Sequence, residues 1–176
     1  MPQTLAAGRP RRAGRVLVLG IGNPGRRDDG LGPRLVERLR ALRLPGVAVD
    51  ANYQLQVEDA LTVSRFARVV FVDAARAGAR AFRLAAIAPR AEFAFTTHAL
   101  SPRSVLALAR ELYEKSPSAR LLAIRGYDFG LGDGLTAQAA RNLEAALERL
   151  VAFIGERPDS AAPSRRHPRP PRRKSL

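Results

Sequence analysis

The chain has 176 residues and a hydrophobic content of 46%, enough for one domain with a real core. Its net charge of +14 gathers at the ends: residues 1–14 and 155–176 hold ten of the 30 Lys and Arg but two of the 16 acids, leaving +6 on residues 15–154. With no cysteine there are no disulfides, thiolate nucleophiles or thiolate metal sites, and no apolar run approaches the ~20 residues of a membrane span.

Residues 1–14 carry three Arg and no acid and are expected to form a flexible basic tail. Arg11-Arg12 lacks the apolar region of an export signal, because the run from Val16 to Ile21 gives way to charges from Arg26 to Asp29. A cytoplasmic location with no membrane partner is expected. The apolar run 16–19, with β-branched Val16 and Val18, predicts a strand that ends in the glycine turn Gly20 to Gly25, and the adjacent carboxylates Asp28 and Asp29 follow. Leu35, Val36 and Leu39 fall at helical spacing over 33–43, with Pro33 at a natural first-turn position. Pro45-Gly46 breaks that helix. A second strand follows over 47–52, and a short helix over 57–66.

Val69, Val70, Phe71 and Val72 form a continuous apolar run ending in Asp73, which marks a central strand covered on both faces, with Asp73 as its cap. Residues 81–88 read as a further strand, antiparallel at an edge. Ser101-Pro102 begins a helix as N-cap and first turn, with Val105, Leu106, Leu108 and Leu112 as its apolar stripe. A strand over 121–124 leads to a last helix over 136–154, capped by Thr136, with Ala139, Leu143, Leu147, Leu150 and Val151 facing inward. Residues 155–176 are Pro/Arg-rich with almost nothing apolar to bury, so a disordered basic tail is expected. Alternating strands and helices imply βαβ units: an α/β fold, three-layer and doubly wound, with a mainly parallel sheet and helices on both faces. Residues 15–154 would form this one domain.

Asp29, Asp73 and His98 all fall where strands meet loops. In a doubly wound sheet such positions can converge on one crevice outside the carboxyl ends of the strands. Two carboxylates and one imidazole suit a borderline divalent metal such as nickel or zinc, with positions left for water or a partner. Each has a plainer reading: Asp28 and Asp29 as turn formers or helix-dipole partners, Asp73 as a cap, His98 as a satisfied loop histidine. Gly126 to Gly134 should overhang the same crevice, as a lid, a docking loop or a simple connection. Tyr53, Gln54 and Asp128 are candidate substrate contacts.

The turn Gly20-Ile21-Gly22-Asn23-Pro24-Gly25 formally matches GxGxxG, with Asp50 in the place of a ribose-binding acid. Arg26 to Gly30 then separate the turn from the helix that should meet a pyrophosphate. The same turn resembles the opening motif of bacterial peptidyl-tRNA hydrolases, yet no histidine precedes Thr97 to act as their base. LGIGNPGRRDDGLGP, then VFVDAA, then TTHALSP resemble, in order and over most of residues 15–154, the maturation endopeptidases of nickel–iron hydrogenases. Segments 53–60 and 124–135 (Arg125 within it) are most similar to the branch that processes the large subunit of NAD-reducing, cytoplasmic hydrogenases.

That resemblance implies a reaction: one cut near the C-terminus of the hydrogenase large-subunit precursor after nickel insertion. By resemblance Asp29, Asp73 and His98 bind the nickel carried by the substrate. Asp28 would shape the loop or hydrogen-bond those ligands, and Gly22 and Asn23 belong to the same loop. Nickel would come with the substrate, and the free protein would hold metal weakly or not at all. HExxH and GxSxG are both absent. A nonenzymatic nickel-binding maturation chaperone would use the same three ligands, and no specific nucleic-acid partner is expected.

Overall fold

In the computed structural model, which describes residues 16–91 and 100–156, the apolar run extends into a fully buried strand, β1 (Val16–Ile21). A single 3-10 turn, Arg27–Gly30, leads into α1 (Leu31–Ala41), which starts two residues ahead of Pro33. Leu31, Leu35, Val36 and Leu39 are its buried stripe, and Arg38 and Arg40 lie in its last turn, favourable to the helix dipole. β2 spans Val47–Asn52 as expected. The helix expected over 57–66 contracts to α2 (Asp59–Ser64).

β3 (Arg68–Ala75) corrects the reading of Asp73 as a cap: Ala74 and Ala75 continue the ladder against Ile124 and Arg125, so Asp73 lies inside the strand. Small residues after an acid do not stop a parallel ladder when a long neighbouring strand is available. β4 (Phe82–Ile87) is the antiparallel edge strand. α3 (Pro102–Tyr113) begins as predicted, the Ser101 hydroxyl accepting from the Ser104 amide at 3.1 Å. Its apolar contact runs through Val105, Leu106 and Ala109, whereas Leu112 is 54% exposed. Periodicity marks the face of a helix but not where its cover ends. β5 (Ser118–Arg125) precedes α4 (Ala137–Gly155), capped by Thr136 and buried also through Ala146 and Phe153.

The strand order is β2-β1-β3-β5-β4, parallel except for β4. Val16, Val18, Val70, Val72, Leu122 and Ile124 face α1 and α4. Leu17, Leu19, Val69 and Phe71 face α2 and α3. The result is the three-layer, doubly wound architecture, and each fully buried Leu, Val or Phe contributes about 1.5–3 kcal/mol. After β1 the chain crosses to β2, then returns to place β3 on the other side of β1. The winding therefore reverses between β1 and β3, where such sheets leave a crevice at the carboxyl ends. α1 seats its first turn on that point: a Cβ on Gly32 would lie 2.6 Å from both the Ile21 amide and the Val72 carbonyl oxygen. No helix among the described residues is long and apolar enough to cross a membrane.

Candidate functional site at the reversal point of the sheet

Asp29 sits in the 3-10 turn after β1, and the glycine turn is folded around it. The Asn23 amide donates to Asp29 Oδ2 at 2.9 Å, and Asn23 Oδ1 accepts from the Gly25 amide at 2.9 Å. Gly22 has φ of 135°, and a Cβ there would collide with the Asp29 carbonyl oxygen. Gly22 thus meets two demands, a left-handed backbone and a close approach, that only glycine satisfies without strain.

Asp73 lies on the next strand of the sheet, half-buried, on the face of Val69 and Phe71. Burial pushes its carboxyl up to about 6, against a hydrogen bond from the Ala74 amide to Oδ1 at 2.7 Å, and the negative charge of Asp29 adds to the rise. The two acids therefore share one electrostatic site at the reversal point. An exchangeable divalent cation would relieve both the burial of one charge and its repulsion by the other. Asp29 and Asp73 are the residues that could hold such an ion. Among the described residues no group of three His, Cys, Asp or Glu is arranged for a metal. His98 lies outside the described residues. Leu100, two positions later, is tied by its amide to the Leu55 carbonyl at 3.0 Å.

Asp28 does something different from Asp29. It is fully buried, and its carboxylate accepts from the Tyr127 amide (2.8 Å), the Asp128 amide (3.0 Å), the Thr136 amide (2.7 Å) and the Thr136 hydroxyl (2.9 Å). Desolvation opposes ionisation here, but the backbone donors outweigh it and hold the Asp28 carboxyl below the usual value. The Arg27 amide donates to the Gly132 carbonyl and the Gly132 amide to the Gly25 carbonyl, both at 2.9 Å. Arg27 Nε pairs with Asp128 at 3.2 Å. Arg27 itself is held at φ of 47°, a left-handed conformation costing roughly 1–2 kcal/mol outside glycine. The glycine turn and the loop between β5 and α4 are thus one double-loop unit clamped at Asp28, and that loop is a braced connection.

The remaining sequence candidates lie around this centre. Asp128 is engaged with Arg27, and its Oδ1 accepts from the Gly130 amide at 2.9 Å. Tyr53 is 71% exposed and Gln54 is exposed, both on an open cleft of about 450 Å³ beyond β2, two strands away from Asp73. The buried Asp59 organises that cleft, accepting from Asn52 Nδ2 (2.9 Å) and the Gln56 amide (2.8 Å). Sequence reasoning passed over Thr136 as a partner of Asp28, and passed over Asp59. The T-x-x-A start of a helix signals a cap but not a second acceptor across the fold.

No protein-family model matches the chain, and no curated protein matches it in sequence. Solved structures do. The NiFe hydrogenase maturation protease HycI from Thermococcus kodakarensis KOD1 superposes with a TM-score of 0.64 at 26% identity, over 80% of this chain and 92% of that one. The hydrogenase maturating endopeptidase HybD from E. coli gives a TM-score of 0.64 at 23% identity, over 80% and 91%. The hydrogenase 2 maturation peptidase from Thaumarchaeota archaeon SCGC_AB-539-E09 gives 0.60 at 21%, over 80% and 98%. The chain has the α/β fold of these proteases.

Proposed function

We propose that this chain is a hydrogenase maturation endopeptidase, which removes a C-terminal peptide from the nickel-loaded large-subunit precursor of a nickel–iron hydrogenase. The observation that carries this reading is the pairing of Asp29 and Asp73 at the reversal point of a sheet shared with hydrogenase maturation proteases. We assign residues 15–154 to the peptidase domain and residues 1–14 and 155–176 to basic tails. The protein acts in the cytoplasm. The likeness of segments 53–60 and 124–135 supports a large subunit of the NAD-reducing type as its partner.

Nickel is part of the substrate in this scheme. Asp29, Asp73 and His98 grip it, and the grip places the scissile carbonyl over the reversal point. A precursor without nickel offers nothing to hold, so metal loading becomes the specificity check. Attack comes from water. Asp73, ionised at neutral pH in the free chain, takes a proton from that water through an oxygen not engaged with nickel as the water adds to the carbonyl, and passes it to the leaving amine as the C–N bond breaks. Asp28 keeps the loop that carries Asp29 in place without touching substrate.

The test mixes the full chain with nickel-loaded precursor and reads intact masses. Loss of a C-terminal peptide with wild type, and its persistence with Asp73→Asn or His98→Ala, is expected. Tight binding by wild type with no mass change would replace the reading with a nickel-binding chaperone.

A further inference from the structure

The sheet face that carries Asp73 also carries a cluster of opposite sign. Asp73 is in register with Ala123 of β5, and Ala123 with Arg83 of β4, so one row across three strands reads Asp73, Ala123, Arg83. Two residues further on the same face, Ala75 pairs with Arg125. The small side chains of Ala75 and Ala123 form a low floor. A pocket of about 450 Å³ opens there, with Gly78, Arg80, Arg83 and Arg125 in its lining.

Among the described residues no carboxylate lines this pocket. Among the described residues none of its three arginines has an ion-pair partner. Arg125 Nη1 is buried and makes no hydrogen bond, while its guanidinium carbon lies 5.3 Å from the centre of the Tyr127 ring. A buried donor left unmade costs about 1–3 kcal/mol, and a planar guanidinium is matched by a carboxylate through paired N–H···O bonds. Arginine remains charged at every physiological pH, so the pocket keeps its positive charge.

We infer that this pocket takes a carboxylate of the substrate's C-terminal extension and so sets the register of the cut. The inference rests on the endopeptidase reading. Two strand spacings separate Arg83 from Asp73, about 10 Å, which an extended peptide covers in about three residues. The recognised carboxylate therefore sits about three residues beyond the scissile bond, either on an acidic side chain or, in a short extension, at the chain end. Arg83, which is exposed, contributes the outer edge of the pocket, and Arg125 the inner one.

The test uses the full chain labelled with ¹⁵N-arginine and a synthetic peptide matching the released extension. Three forms are titrated: unmodified, with Asp and Glu replaced by Asn and Gln, and amidated at the C-terminus. The Nε–H signals of Arg83 and Arg125 should move with the unmodified peptide and lose that response with one neutralised form, which identifies the carboxylate. No movement, or equal movement with all three, overturns the inference. In precursor cleavage, Arg83→Gln should raise KM about tenfold at unchanged kcat. Arg125→Gln should do the same or more. An unchanged kcat/KM in both variants, with wild type cleaving, also overturns it. If wild type binds the extension at these arginines yet never shortens the precursor, the endopeptidase reading fails and the pocket stands.

Discussion

Replacing Asp73 with Asn should make the folded protein more stable while abolishing processing. The Asp73 carboxyl is raised from 3.8 to about 6, so the folded state binds its proton more tightly than the unfolded chain does. Its stabilising contribution is thus fully present below pH ~4, declines as the pH climbs from 3.8, and is gone above about 6. At 1.36 kcal/mol per unit, the ionised side chain opposes folding at pH 7.5 by about 3 kcal/mol. The amide introduced by Asp73→Asn would keep the acceptor for the Ala74 amide and carry no charge. Urea unfolding of wild type and Asp73→Asn, in chelator, should show the variant ahead by up to about 3 kcal/mol at pH 7.5, with the gap closing towards pH 4. For a chain of this size the shift in Tm is about 6–12 °C. A variant no more stable than wild type at pH 7.5, or a gap that persists undiminished at pH 4, would refute the idea that burial and Asp29 destabilise this carboxylate.

Asp28→Ala should cost about 2–4 kcal/mol, because four donors lose their acceptor at once. Amide exchange at Tyr127, Asp128 and Thr136 should accelerate, and unchanged protection there would show that the clamp is not held by Asp28. Since the Asp28 carboxyl is held below its ordinary 3.8, its stabilisation is present above that value and is lost as the pH falls through the folded-state value. The difference between wild type and Asp28→Ala in urea unfolding should accordingly shrink below pH 4. Gly22→Ala should destabilise by more than about 1 kcal/mol and reduce processing by displacing Asp29, measured by thermal melting beside a mass assay. Ser101→Ala should cost about 1 kcal/mol through the lost cap of α3, with kcat little changed.

Much of this architecture was legible in the amino-acid order because its signals are local. The run from Val69 to Val72 announces a strand covered on both faces, and Ser101-Pro102 and Thr136 announce helix starts. The alternation of these elements implies the winding, and the winding brings the ends of β1 and β3 together. Asp29 and Asp73 could thus be paired before any coordinate was known. Arg125 and Arg83 stayed hidden as a pair because their proximity depends on which strand β4 joins and in which direction. The resemblance set Asp28 apart from Asp29 as the neighbour that shapes the loop, but the partners that hold Asp28 were equally invisible. Two adjacent acids look alike in a sequence, and only the arrival of Thr136 and the Tyr127–Asp128 backbone assigns one to the interior.

The clamp at Asp28 has a consequence for how the protein is made. Its donors lie 99 to 108 residues further along the chain. A ribosome that has synthesised the glycine turn, β1 and even β3 has not yet synthesised the donors that hold Asp28, the neighbour of Asp29. Asp28 gains its four donors only after Thr136 emerges and the β5–α4 loop folds back, late in translation. The clamp therefore closes only with the last quarter of the polypeptide, and a chain truncated before Thr136 lacks it.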